Sequence, residues 1–200
     1  MVLQHVWGLF VNPKREWEAI RDDECTIGKC YAIHVLILAA IPAISGFIGT
    51  TQFGWQIGVG DPVKLTLASA GMISIMYYFA MLVGVYAIGW MIHWMGKTYD
   101  ADVPLAQCVV LAAYTATPLF LIGIMELYPV LWLNMVVGIV ALAYTVFLLY
   151  SGVPIMMDIS EDRGFLFSSA VLAVGLVAFV GLLAVTALLW GMGLEPQFTQ

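Results

Sequence analysis

Three groups of side chains in this sequence have the types and spacing to do chemistry. Cys30 and His34 stand four residues apart, on one face of a helix. Two such ligands make half of a transition-metal site. Cys25 lies too far around the helix to complete it unless the chain bends, and His93 would have to come from another segment. A core cysteine beside a hydrogen-bonded histidine is the plainer reading of the pair, and no metal or other cofactor is expected.

The second group is the stretch Ala112–Gly123, which holds Tyr114, Thr115, Thr117 and Pro118 inside an apolar run. A proline within a helix removes one N–H and pushes away the carbonyl four residues back, here that of Tyr114. In hydrocarbon that carbonyl needs another partner, because no water is present to take it. The hydroxyls of Thr115 and Thr117 and the Tyr114 phenol can supply one locally. The break reads either as a packing kink or as a hinge facing a substrate. The third group is Glu126 and Asn134, which could meet at one end of the molecule. An acid at a helix end is most often solvated; an ion or proton entrance is the alternative.

Five apolar runs must position these residues. A membrane span needs about 20 apolar residues, and such runs occupy about 31–51, 65–95, 104–125, 130–150 and 165–190. The first carries His34 and, near its middle, Pro42. Ala39 with Ala43, and Ser45 with Gly49, are small-xxx-small pairs that let another helix approach. The first and third runs share a faint likeness, Leu38-Ala39-Ala40 to Ile48-Gly49 against Leu111-Ala112-Ala113 to Ile122-Gly123. Asp61-Pro62 reads as the cap and first residue of the second helix. At about 1.5 Å per residue that helix exceeds the hydrocarbon thickness and must tilt or protrude. Met72 with Met76 and Met91 with Met95 are spaced by four, which is ordinary packing.

Ahead of the runs, residues 1–29 form a surface segment. Asn12-Pro13 reads as an N-cap followed by proline at the first helical position. The helix Pro13–Asp22 puts Trp17 and Ile20 on one face and charges around the rest, and Trp7, Phe10 and Trp17 suit the headgroup region. An amphipathic helix lying on the membrane is expected.

Composition agrees. The 200 residues are 62% hydrophobic and only 10% charged, with a mean hydropathy of +0.97, where soluble domains carry about 25% charged residues. The connections are too short for a second, soluble domain. A net charge of −6 argues against nucleic acid as a partner. Lys14 and Arg15 follow the first apolar residues instead of preceding them, so no cleavable signal peptide is expected. With the N-terminus cytoplasmic, Lys14, Arg15, Arg21, Lys29, Lys97 and Arg163 are inside and only Lys64 is outside. Six against one sets the orientation and places the C-terminus in the periplasm. Cys25, Cys30 and Cys108 then sit on the reducing side, and no disulfide is expected. No nucleophile-elbow, Walker, Rossmann or HExxH pattern occurs, nor any pair of intramembrane acids, so an enzyme is not expected.

Several motifs occur together and in order. They are His5-Val-Trp-Gly-Leu-Phe-Val-Asn-Pro13; His34-Val-Leu followed by Ala39-Ala-Ile-Pro42 and Phe47-Ile-Gly-Thr-Thr51; Tyr114 with Thr117-Pro118-Leu-Phe; and Tyr150-Ser-Gly-Val-Pro154 with Glu161-Asp-Arg-Gly-Phe165. Nearly the whole chain thereby resembles the bacterial YohC-like inner-membrane proteins of the Yip (Ypt-interacting protein) superfamily. The resemblance implies five spans, a cytoplasmic N-terminus and an outward C-terminus. Eukaryotic relatives are linked to vesicle traffic and bind small prenylated GTPases. Their long cytoplasmic N-terminal region is largely missing here, so that partner is not carried over. The resemblance brings no catalytic residues. Pro42, Tyr114, Pro118 and Pro154 match its motif positions.

The expectation is an all-α, five-span inner-membrane protein with an N-terminal amphipathic surface helix. Its first functional reading is a non-enzymatic organiser of lipid or protein partners, with a homo-oligomer through the small-residue faces as a further option and the protein partner unknown. That reading expects the polar positions to be satisfied inside the bundle. The second reading is a transporter or channel for a small solute, ion or lipid. It expects a cavity lined by His34, Tyr114, Thr115, Thr117 and Asn134, beside the proline breaks at Pro42 and Pro118.

Overall fold

A computed structural model describes residues 2–23, 25–56, 61–192 and 196–199. Two short helices, α1 (Val2–Val11) and α2 (Pro13–Asp22), precede five helical spans. Span one is Ile27–Phe53, span two Leu67–Tyr99, span three Leu105–Leu127, span four Leu131–Met157 and span five Glu161–Leu188. No strand forms among the described residues, only single backbone bridges such as Trp55 to Val63. The chain is thus an all-α protein with five helices of membrane length.

Three helix starts among the described residues carry a side-chain cap, at Asn12, Thr26 and Thr66, and one of them lies away from the expected position. The Asn12 side chain accepts from the Arg15 N–H at 3.5 Å, with Pro13 at the first helical position. Span two begins at Leu67 and not at Pro62. The Thr66 hydroxyl accepts from the Ser69 N–H at 3.3 Å, while the backbone of Val63 is engaged with Trp55. Asp61 and Pro62 therefore stay in the loop. Span four continues past Tyr150 to Met157, through Pro154. It ends at Asp158, whose left-handed φ of 52° closes a bond from its N–H to the Pro154 carbonyl.

Span three is the central element: Cys108 to Phe120 are buried except for the half-buried Ala116 and the exposed Leu119. Spans one, two and four pack around it. Spans two and five keep most of their apolar surface outward, facing lipid. Close approach is made at glycines. A Cβ on Gly89 of span two would strike the Val109 backbone of span three, and one on Gly123 of span three would strike Pro42 of span one. A Cβ on Gly164 of span five would strike Pro154 of span four.

The small-residue face of span one is used inside the molecule. Ala39, Ala43, Ser45 and Gly49 are all buried, and the backbone carbonyl of Glu126 occupies the space a side chain at Gly49 would need. These small residues of span one are thus packed within the chain itself. Helix packing in lipid rests on such close contacts, and the nearest smooth surface is in the same chain.

The apolar face of α2 does not meet headgroups. Trp17 is 0% exposed and Ile20 3%. The indole lies on Gly152 of span four, with Leu111 of span three beside it. Arg21 donates to the Ile155 carbonyl at 3.2 Å, and Tyr144 donates to the Leu9 carbonyl at 2.8 Å. Trp7 and Phe10 remain outside, at 73% and 42% exposed. Helices α1 and α2 are joined by His5 Nδ1 and Glu16 Oε1 at 2.5 Å. The pair forms a hairpin docked on spans three and four.

Trp17→Ala removes a fully buried indole and should cost about 3–5 kcal/mol. Gly152→Val overfills the same contact and should cost about 1–3 kcal/mol. Thermal unfolding of the detergent-purified protein, with limited proteolysis near Asp23 as a second readout, checks both. A native-like melting temperature and proteolytic pattern for Trp17→Ala would show that the docked hairpin does not hold in solution.

Candidate functional site

Span one does not start as a regular α-helix. Residues Tyr31–Val35 form a wider π turn, and His34 lies within it. The extra residue in this turn aims His34 inward, where it is 0% exposed. In span three the α-helix stops at Thr115 and resumes at Thr117, with Ala116 between. Pro118 supplies no N–H, so the new helix starts from the Ala116 carbonyl, which accepts from Leu119 and Phe120 at 3.0 and 3.1 Å.

These two irregular turns face each other. His34 Nε2 and Thr117 Oγ1 are 3.0 Å apart and fully buried. The Tyr114 ring leans on the imidazole at 4.2 Å between centroids, and the His5 ring meets the far side of Tyr114 edge-on at 5.9 Å. Pro42 and Gly123 touch further along the same two spans. Spans one and three therefore meet along both of their breaks. Thr117 does not repair its own helix, as local chemistry suggested; its hydroxyl is taken by His34 from the neighbouring span. The Thr115 hydroxyl, 7% exposed, has no partner. His34 Nδ1 lies near the Ala113 carbonyl without reaching hydrogen-bond geometry. A proton on Nδ1 turned toward that carbonyl leaves Nε2 to accept from the Thr117 hydroxyl.

Other expected members fall elsewhere. Asn134 caps the connection between spans three and four, donating to the Tyr128 carbonyl at 3.2 Å. It joins neither His34 nor Glu126. The tight turn Leu127–Val130 brings the Tyr128 carbonyl, which already accepts from the Val130 N–H at 2.7 Å, within reach of the Asn134 amide. Glu126 is not a solvated helix end either: its Oε1 accepts from Tyr77 of span two at 3.3 Å, and its Oε2 lies over Gly46 of span one. His93 donates from Nδ1 to the Val103 carbonyl at 3.0 Å. Among the described residues no three His, Cys, Asp or Glu side chains gather closely enough to hold a metal.

Two cavities flank the centre, and neither is lined by His34, Tyr114, Thr115 or Thr117. One, of about 510 Å³, is an open groove on the lipid side, walled by Phe10, Pro118, Val140, Ala141, Tyr144 and Phe147. Its surface is almost wholly apolar, and Phe10 stacks on Tyr144 at 5.1 Å along one wall. The other, of about 340 Å³, lies at the end of the bundle near the N-terminal helices, among Arg21, Cys25, Pro104, Gln107 and Met156. Here Gln107 donates to the Met156 carbonyl. Burial pushes the Cys25 thiol above its ordinary value, with Lys29 beside it pulling the other way. The Phe10–Tyr144 wall and the His5–Glu16 clasp were not apparent from sequence. The clasp has a signal in retrospect: a helical hairpin turning at Asn12-Pro13 brings positions 5 and 16 alongside one another.

The closed pair His34–Thr117 behaves as a structural unit. Thr117→Val keeps the shape and leaves a buried ring nitrogen unpaired, so it should destabilise the protein by about 1–3 kcal/mol. His34→Ala with Thr117→Val should lose less than the sum of the single changes, with a coupling of about 0.5–3 kcal/mol in detergent unfolding. Strict additivity would show that the two do not interact.

The chain carries a Yip1 domain, matched over residues 7–182. It is 47% identical over 191 residues to the inner membrane protein YohC of Escherichia coli strain K12, covering 96% of this chain and 98% of that protein. The same identity and coverage hold against the YohC of Escherichia coli O6:H1, strain CFT073. No solved structure matches the chain. The match runs through α1, α2 and most of the five spans, including the facing breaks of spans one and three, and the chain belongs to the Yip1 domain family.

Proposed function

We propose that this protein is a non-enzymatic organiser of the bacterial inner membrane, and that it holds a lipid acyl chain in the groove beside Pro118. One observation supports this over transport. His34 and Thr117 are turned on each other and buried, while the open cavity beside them is apolar and faces lipid. A solute path past His34 would need a wet channel between spans one and three, where Pro42 is in contact with Gly123. A groove walled by Phe10, Val140, Tyr144 and Phe147 suits a hydrocarbon chain, which needs no hydrogen-bond partner.

In this reading Phe10 of α1 forms one edge of the groove, so the docked hairpin and the bound chain support each other. A lipid seated there also covers the kinked face of span three at Pro118. The N-terminal hairpin lies in the cytoplasm, where the Lys and Arg excess places it, and the C-terminus lies in the periplasm. The inner-membrane location follows the two relatives, whose names carry it.

Native mass spectrometry of the protein released from a mild detergent tests the groove. The expected result is a phospholipid retained at fixed stoichiometry. Ala143→Trp, which fills the groove from an exposed position, should lower the retained fraction severalfold without lowering the melting temperature. Tyr114→Ala should leave it unchanged, because Tyr114 does not line the groove. Loss of lipid with Tyr114→Ala but not with Ala143→Trp would favour a path through the centre.

Sidedness has its own check. A membrane-impermeant maleimide should label Cys25 in inverted vesicles and not in intact spheroplasts. The rate should be low at neutral pH and rise as pH passes the ordinary thiol range, because burial raises this thiol and the thiolate is the reactive form. Labelling in intact spheroplasts would invert the orientation.

A further inference from the structure

Among the described residues, Glu126 is the one acidic side chain whose carboxylate is held between spans at the end away from the N-terminal hairpin. It stands in the 3-10 turn that closes span three. Gly46 and Gly49 of span one make the notch for it: a Cβ at Gly46 would strike the carboxylate, and one at Gly49 would strike the Glu126 backbone carbonyl. The floor of the notch is therefore bare helix backbone. Its one polar side-chain partner is the Tyr77 phenol of span two, 3.3 Å from Oε1. Span one presents no charged group to it, and Glu126 forms no ion pair with any described residue. An ionised carboxylate accepts up to about four hydrogen bonds. Here it has one, and long.

The notch opens sideways into lipid. Tyr77 is 41% exposed, and its neighbours Ile73 and Met76 on span two are exposed, as is Ile124 on span three. Its depth follows from the exposed Trp90 and Trp94, which mark the opposite interface on span two. Counting back about 20 residues from them, the thickness of the hydrocarbon, reaches residues 70–74. Tyr77 then lies within about 10 Å of the near boundary. Two residues beyond Glu126, Tyr128 stacks on Phe53 at 5.0 Å, and both are exposed at the same end. A negative group, an open aromatic rim and interfacial depth together suit a cation that arrives within the bilayer. A metal ion would need more oxygen ligands than one carboxylate and one phenol.

We infer that Glu126 and Tyr77 form a site for a primary ammonium group, carried by the headgroup of an aminophospholipid in the leaflet away from the N-terminal hairpin. The ammonium supplies the charge that the carboxylate lacks and donates to carboxylate lone pairs that no described protein group takes. The acyl chains then run down the exposed flank of span two. The site stands on different residues from the groove at Pro118 and does not depend on it.

The test is native mass spectrometry of the full chain in mild detergent, titrated with phosphatidylethanolamine, N-acetyl phosphatidylethanolamine or phosphatidylglycerol, comparing wild type, Glu126→Gln and Tyr77→Phe. Wild type should retain phosphatidylethanolamine about tenfold better than either lipid lacking the ammonium. Glu126→Gln should erase that preference, and Tyr77→Phe should weaken it severalfold. Ala143→Trp, which alters only the groove, should keep it. Equal retention of the acetylated lipid by wild type overturns the proposal, and so does an unchanged preference in folded Glu126→Gln. The comparison of lipids on wild type stands even where a variant does not fold. Stabilisation of lipid-free wild type, but not Glu126→Gln, by dissolved ethanolamine, without any preference among the lipids, would move the ammonium from the bilayer to solution and overturn the headgroup assignment.

Discussion

The contact between two proline-bearing spans fixes the centre of this protein. Pro42 and Pro118 each remove a backbone donor where no water can replace it. Span one keeps its α-helix through Pro42 after a π turn at Tyr31–Val35, and span three is interrupted at Ala116. The two spans meet through side chains, His34 against Thr117 and Pro42 against Gly123. Separate the two spans and a buried imidazole, a hydroxyl and the disturbed backbone all face lipid. Much of the remaining architecture follows from keeping these two helices in register.

The same device recurs outward from that contact. A rigid or bulky side chain seats on a glycine: Pro42 on Gly123, Pro154 on Gly164, and Trp17 on Gly152. In water such contacts would be reinforced by burial of apolar surface. In a bilayer the lipid tails are as apolar as the protein, so shape and close approach carry the association. Trp17 is the instructive case, because it lets a helix outside the spans use the interior of the bundle. Arg21 and Tyr144 then tie that helix to backbone carbonyls of its surroundings.

How much of this could be read from sequence depends on the physics behind each feature. Five spans were legible because crossing hydrocarbon demands long apolar runs, and few other structures need them. The Asn12-Pro13 helix start was legible because its chemistry is contained in a few adjacent residues. Which face of a span meets which neighbour was not legible, since the spans are apolar all round. Trp17 illustrates the gap. An amphipathic helix beside a membrane predicts an aromatic at the headgroups, yet Gly152, far along the chain, provides a deeper seat. Thr66 displaced Asp61 as a cap because loop backbone bonds to Val63 were invisible in the sequence. For the candidate site, proline spacing put His34, Tyr114 and Thr117 near the breaks of spans one and three, but contacts across two apolar helices leave no mark in sequence, so the closing of His34 on Thr117 was not legible. The rotation of span four, which turns Asn134 to the Tyr128 carbonyl, was hidden for the same reason.

A centre that closes on itself shifts the place where this protein can act. His34 and Thr117 line neither of the two cavities described, and their polar atoms face each other between helices. What remains open is at the flanks: an apolar groove at Pro118 and a carboxylate notch at Gly46. Both face the bilayer sideways, and both are walled by spans that the proline contacts hold in place. Lipid is the molecule that reaches such surfaces at the highest concentration. In the proposed reading no moving gate is needed, because a lipid reaches these surfaces by lateral diffusion. The constraint that makes spans one and three inseparable is thus also what gives the lipid-facing sides a defined shape.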